Sequence, residues 1–342
     1  MDEINVSLID DNLEKEWNNF VNNHYYSTYC HKYNYRKLIE KTYKNKTYYL
    51  IAKKKDKIIA ILPLVEIKTI FGSSNLVSLA HTSYGGLLTD YKDLDYIRLL
   101  FLKHINKFIK FNHIEERLLS TPNTEQDIEE ESEEVSMIID FSLFQNIDDL
   151  FLSIKNKRRN LIRKSFKSEF LIKFSGNSLL DFYNMYLKGM NRLGTPAHPI
   201  KFFYELKKYW DSDFYLFTSY YKNKAIGAMI GVKFKNKFIN LFAAVDQKYN
   251  QYSINDFMYW KTIEYLYNNS FNSFDFGRSK KGTPTYKFKK EWTTRECNIV
   301  YKNYFFDSYL NKIKYKEFNT SKLYRSKISY LFVYLWRKLP NY

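Results

Sequence analysis

FDFGRSKKGTPTYKFKKEW, residues 274–292, turns a buried strand into a crowded cationic segment within a few positions. Phe274 and Phe276 alternate with Asp275 and Gly277, the period-two pattern of a strand with one apolar face. Asp275 is therefore expected to look away from the core. Gly277, Gly282 and Pro284 favour turns for different backbone reasons, and they are interleaved with Arg278, Lys280, Lys281, Lys287, Lys289 and Lys290. Such a loop is suited to meeting anions; the plainer reading is a solvated basic loop that closes a sheet.

Working outward, residues 214–221, a turn at Lys222, Asn223 and Lys224, then residues 225–234 and 238–245 read as three strands. Ile254, Phe257, Met258, Thr262, Tyr265 and Leu266 mark a helix that delivers the chain into the Phe274 strand. The first half has the same rhythm. YLIAKKKDKIIAILPLV and YLFTSYYKNKAIGAMIGV share strand, charged turn and strand, which points to two copies of one α/β unit. Residues 48–52 and 58–67 form the first hairpin, 76–88 a further strand with the SYGG turn, and 116–120 and 135–142 two more strands. Leu94, Ile97, Phe101, His104, Ile105 and Phe108 follow three-four spacing, so residues 93–112 read as an amphipathic helix packed on that sheet. A helix over about 147–169 joins the halves. TEQDIEEESEEV, 124–135, reads as a solvated acidic loop without chemistry.

The wording of 274–292 resembles the signature of the FemAB-like acyltransferases, close to the subgroup associated with exosortase (PEP-CTERM) exopolysaccharide systems, where a strand ending in FDFGRS precedes a YxFKxxW element. The resemblance extends through LVSLAHTSYGGLL (76–88), KRRNLIRKS (157–165) and MNRLGTPAHPIKFF (190–203). Pro284 stands where the resembled motif has a second glycine, and Thr293 follows Trp292 where it has glycine. The resemblance implies an α/β (α+β) fold of tandem GNAT-like domains, each a mixed sheet flanked by helices, with a substrate cleft shared between them. The expected division is 1–145, a second BioF2/FemAB-like acetyltransferase domain over 146–307, and a basic-aromatic helical extension over 308–342.

At 342 residues the chain is comfortable for two cores. Its 54 Lys and Arg against 37 Asp and Glu give +17, which favours polyanions such as RNA, anionic lipid or nucleotide phosphates; A/T-rich coding would produce the same bias. Cys30 and Cys297 are far apart and without histidine spacing, so neither a metal site nor a disulfide framework is indicated, and a reducing cytoplasm fits. The start MDEINVSLIDDN has no apolar core of a signal peptide, and no run reaches the ~20 apolar residues of a membrane span. SKLYRSKISYLFVYLWRKLP, 321–340, fits either an interfacial helix on an anionic inner leaflet or a helix docked on the protein itself.

Acyl transfer needs a donor carbonyl, a nucleophile relieved of its proton and something positive for the developing oxyanion. The sequence lacks G-x-S-x-G, lacks a Walker A loop and sets no cysteine beside a histidine base, which leaves direct transfer. Lys289 matches the lysine of the Fem-type FK motif, and the resemblance implies oxyanion or donor-phosphate stabilisation; a solvent-facing lysine is the alternative. Asp275 could accept the attacking group's proton or fix Arg278 in place. Arg159 and Arg163, four apart on one helix face, could hold a phosphate together. Tyr84, with Gly85 and Gly86 allowing close backbone approach, is a candidate for the acceptor side. Arg192, His198, Arg278, Ser279 and Tyr286 lie in matched blocks and join the substrate-binding candidates, with His31 and His81 behind them.

No tightly bound cofactor is expected. The donor is acyl-CoA, acyl carrier protein or aminoacyl-tRNA, and residues 246–256, where GNAT enzymes carry a glycine-rich phosphate loop, contain no glycine. The acceptor implied by the resemblance is an amine or hydroxyl of a sugar- or peptide-bearing envelope or exopolysaccharide precursor at the inner membrane face. A tRNA-dependent peptidyltransferase of the peptidoglycan type and a noncatalytic RNA- or anionic-lipid-binding module are the alternatives.

Overall fold

The computed structural model describes residues 3–68, 74–120, 132–174, 179–307 and 312–315. Among these, the chain divides into two compact units, one of residues up to 132 together with those from 298, the other of residues 133–297. The division falls earlier than the boundary at 145 expected from sequence, and the extension expected over 308–342 lies, apart from 312–315, outside the described residues, as does most of the acidic stretch.

The first unit runs β1 (Asn5–Leu8), α1 (Glu14–Asn23), α2 (Tyr33–Tyr43), β2 (Thr47–Lys54), β3 (Lys57–Lys68), β4 (Ser74–Ser78), β5 (Leu88–Thr89), α3 (Leu94–Ile105) and β6 (Ile114–Leu119). β2, β3 and β4 pair antiparallel; α3 crosses over, and β6 lies parallel to β4. Leu50, Leu62, Leu76, Ile97, Phe101 and Ile105 form its core. α3 starts on Asp93, whose side chain caps the Tyr96 N–H, and ends at Ile105 rather than near 112. Phe108, read as part of its apolar face, is exposed.

The second unit runs β7 (Glu134–Asp140), α4 (Ile147–Ser153), α5 (Asn156–Ser165), β8 (Phe170–Phe174), α6 (Leu179–Leu193), α7 (Ile200–Trp210), β9 (Phe214–Tyr221), β10 (Lys224–Phe234), β11 (Lys237–Val245), α8 (Ile254–Asn268), β12 (Ser273–Lys280) and α9 (Pro284–Lys290). Its sheet is ordered β7-β12-β11-β10-β9-β8, with β11 and β12 parallel and the other neighbours antiparallel. The chain then enters β13 (Arg295–Asp307), whose residues from Ile299 pair with β6, and β14 (Lys312–Tyr315), which pairs with β13.

The two units repeat one plan of three antiparallel strands, a helix and a parallel fourth strand. The hairpins that begin it even share a turn. Lys55 and Asp56 have φ of 47° and 61°, Lys222 and Asn223 φ of 46° and 63°, two consecutive left-handed residues whose twist matches the flanking strands.

The single helix expected over 147–169 is two. Ile154 and Lys155 are extended, which lets Ile154 drop into the core of the second unit and starts α5 afresh. The expected cationic loop after β12 is likewise helical. Thr283 caps α9 by accepting from the Tyr286 N–H, and Pro284 occupies its first turn, where a missing N–H costs nothing.

Close packing in the second sheet sets a sharp limit at Gly231. A Cβ there would come within 2.1 Å of the Phe238 ring and 2.7 Å of the Ile239 carbonyl. Gly231→Ala should lower unfolding free energy by about 1–3 kcal/mol, the usual range for overpacking, measured by urea titration; an unchanged midpoint would contradict the packing described.

Candidate active site

β12 pairs with β11 over only three residues, Ser273 to Asp275, before the two strands part. The parting coincides with a break in the opposite ladder, where register with β7 shifts between Asp275 and Arg278. Gly277 sits in this bulge with φ of 69°, a conformation that costs a glycine little. Two side chains pin it. Asp275 keeps the alternation, since Phe274 and Phe276 share one core with ring centres 4.5 Å apart, but the face it looks to is covered and it is 4% exposed; its Oδ1 accepts from the Gly277 N–H at 2.7 Å and from Ser136 Oγ at 2.8 Å. Lys289, from α9, is also buried and donates through Nζ to the carbonyls of Phe276, Gly277 and Arg278 at 2.7, 3.2 and 3.1 Å. Burial pulls the Lys289 ammonium down to about 8, against the pull of Asp275 and with a push from Arg278.

Beyond the parting point a cavity of about 690 Å³ opens within the second unit. β11 contributes Ala243, Ala244 and Val245; the segment before α8 contributes Gln247, Lys248 and Asn250; α8 contributes Asn255 and Tyr259. Pro284, Thr285 and Phe288 of α9 and Met185, Lys188, Gly189, Met190, Arg192 and Leu193 of α6 complete it. Three cations thus meet one acidic side chain, Asp246. That carboxylate is already engaged: it accepts from the Lys248 N–H and pairs with Lys224 at 3.3 Å, which together outweigh the upward push of burial and hold it below the usual range. Tyr259 is pushed up to about 12 by burial and accepts from Asn240 Nδ2 at 3.3 Å, so its phenol keeps its proton at neutral pH.

The walls are braced from behind by Arg158 of α5, which is buried. It donates to Asp256 in the first turn of α8 and, through two nitrogens, to Glu291 at the end of α9, while its guanidinium lies 4.5 Å from the centre of the Phe288 ring. Burial raises the Asp256 carboxyl, and Arg158 opposes that rise.

The Acetyltransferase (GNAT) domain model matches residues 153–290, the stretch that holds the parted strands and the cavity. The second unit is a GNAT acyltransferase domain. No curated protein matches the chain. Among solved structures, FemX is similar with a TM-score of 0.64 at 13% identity, covering 86% of this chain and 97% of FemX. A tandem GNAT protein from the clavulanic acid biosynthesis pathway follows at 0.57 and 7%, covering 87% of this chain and 97% of that protein. L-PGS from Bacillus licheniformis gives 0.51 and 8%, covering 86% and 92%. The chain shares its fold with FemX and the tandem GNAT protein.

Of the residues singled out in sequence, the GNAT domain brings Lys289, Asp275, Arg278 and Ser279 to the bulge. Arg278 pairs with Glu134 at 3.2 Å, and Ser279 Oγ donates to the Arg278 carbonyl at 2.9 Å. Tyr286 lies one turn before Lys289 on α9, its hydroxyl 3.3 Å from both Glu296 oxygens. Arg192 lines the cavity; His198 stacks on Phe202 with ring centres 4.7 Å apart. Arg159 and Arg163 of α5 are taken up nearby, Arg159 donating to the Leu152 carbonyl of α4 and Arg163 to Asn160 Oδ1 on its own helix. Tyr84 and Gly85 belong to the first unit, where the Gly85 N–H donates to the Arg117 carbonyl at 2.8 Å. There, too, His31 bonds the Gly86 carbonyl, and His81 stacks on Tyr43. Sequence reasoning missed Lys188, Lys248, Tyr259 and Arg158. The four-residue spacing of Lys188 and Arg192 was the one signal available for the cavity.

The depressed lysine has a stability consequence. Between about pH 8 and 10.5 the unfolded chain holds a proton that folded Lys289 has released, so stability rises with pH across that window. Relative to Lys289→Met, wild-type unfolding free energy should gain up to about 3 kcal/mol from pH 7.5 to 10.5 in parallel urea titrations. A difference that does not vary with pH would contradict the buried ammonium.

Proposed function

We propose that the second unit binds an acyl donor by its phosphopantetheine arm, the group common to acyl-CoA and acyl carrier protein, and transfers the acyl group directly to an amine or hydroxyl. The observation that carries this reading is the free edge of β11. Past Ile239 its backbone has lost β12 as partner, and strand groups left open beside a cavity are satisfied when an extended ligand adds alongside them. The amide-rich pantetheine arm is such a ligand. Lys248, in the stretch where the glycine loop is missing, supplies charge for its phosphates.

In the reaction the acceptor's nucleophile attacks the thioester carbonyl. The oxyanion is met by β11 N–H groups, collapse expels the thiolate, and the proton given up by the acceptor's amine or hydroxyl passes by way of the Tyr259 hydroxyl to that thiolate, so that the phenol ends protonated as it began. Lys289 and Asp275 act by holding the bulge, and so the parting of the strands, in place. The acceptor class that fits the sequence resemblance is an envelope or exopolysaccharide precursor at the cytoplasmic membrane face, with Tyr84 and Gly85 as candidates for its contacts. Aminoacyl-tRNA is the competing donor.

Purified protein offered acyl-CoA, acyl carrier protein and aminoacyl-tRNA, each with amino-sugar acceptors, should turn over a pantetheine thioester as read by acceptor mass shift. Tyr259→Phe should lower kcat about 10²-fold with little change in KM. Turnover of aminoacyl-tRNA alone would transfer the reading to the competing donor, and salt-sensitive polyanion binding without any transfer would sink it.

A further inference from the structure

α6 carries a glycine where a helix tolerates one poorly. Gly189 lies in the interior of this 15-residue helix, and among the common residues only proline forms helix less readily than glycine. A mid-helix glycine usually answers to a neighbour that needs the space. Here the protein supplies none: a Cβ built on Gly189 meets no atom within 4 Å, whereas one on Gly227 or Gly231 would press on packed side chains. The position opens into the cavity. Met185 and Leu193, one turn to either side, line the same cavity, as does Met190, so the missing side chain leaves a notch with an apolar border. Lys188 and Arg192 stand on the neighbouring row of the helix.

We propose that Gly189 is a specificity-determining residue that leaves room for the apolar tail of a transferred acyl group longer than acetyl, lying against Met185, Met190 and Leu193. This rests on the donor reading above and adds the class of acyl group to it. Unbranched apolar tails suit such a border, since methionine side chains adapt to the shape beside them. The glycine then trades helix stability for ligand space.

The test is calorimetric titration of the full chain with CoA, acetyl-CoA and octanoyl-CoA, for wild type, Gly189→Ala and Gly189→Leu, with thermal melts alongside. Wild type should hold octanoyl-CoA about tenfold or more tighter than acetyl-CoA, as burial of extra methylenes requires. Gly189→Ala should raise Tm by about 2–4 °C, because alanine is the better helix former, and yet weaken octanoyl-CoA several-fold. Gly189→Leu should erase the chain-length preference, because the leucine fills the notch. Octanoyl-CoA binding no tighter than acetyl-CoA in wild type, or a preference that survives Gly189→Leu, would overturn the inference with the donor reading intact. Failure of CoA itself to bind would instead remove the donor reading and this inference together.

Discussion

The second unit depends on a ladder that is broken on purpose at one place. A parallel strand pair left to itself keeps pairing, and β11 and β12 stop after three residues. What holds them apart is the bulge at Phe276 and Gly277, where carbonyl groups would otherwise be left without donors in a buried setting. Lys289 supplies those donors and Asp275 binds the neighbouring N–H, so the backbone stays satisfied in an irregular form. Burying an ammonium is costly, and three hydrogen bonds with a nearby carboxylate offset that cost. The same arrangement explains why an aspartate and a lysine fourteen residues apart belong to one motif.

Around that break the cavity is kept in shape by a second buried charge. Arg158 reaches both the first turn of α8 and the end of α9, the two elements that border the cavity opposite α6. Removing one partner of such a cluster strands the remaining charges in a dry interior, so its geometry is strongly enforced. The phosphate-facing role that sequence gave to Arg159 and Arg163 rests on the same helix, yet the side chain that turns inward is the one just before them. Helix phase, and not charge, separates the three.

Much of the fold was legible because it repeats. Two charged turns between apolar strands, each followed by a helix and a further strand, outline both units, and the left-handed turn residues bear the pattern out. Element ends were harder. Phe108 continues an apolar spacing past the point where α3 stops, and Ile154 breaks a helix by entering the core, a tertiary effect that no local spacing records. α9 was hidden by glycines and lysines that read as loop, although Thr283 followed by proline is a helix start. At the site, FDFGRS and FK were visible as a block, but not what they do, because the partners of Asp275 and Lys289 are largely backbone groups. Tyr259 and Gly189 carry no sequence signal by themselves; one acquires meaning from a cavity, the other from the absence of a neighbour.

Donor binding along the β11 edge released by the bulge is read most directly by amide hydrogen exchange resolved over residues 240–245, with and without CoA. In the free protein these amides should exchange faster than those of 228–232 in β10, and they should slow when CoA binds. CoA binding that leaves 240–245 unprotected, or that protects only segments away from the cavity, would contradict it.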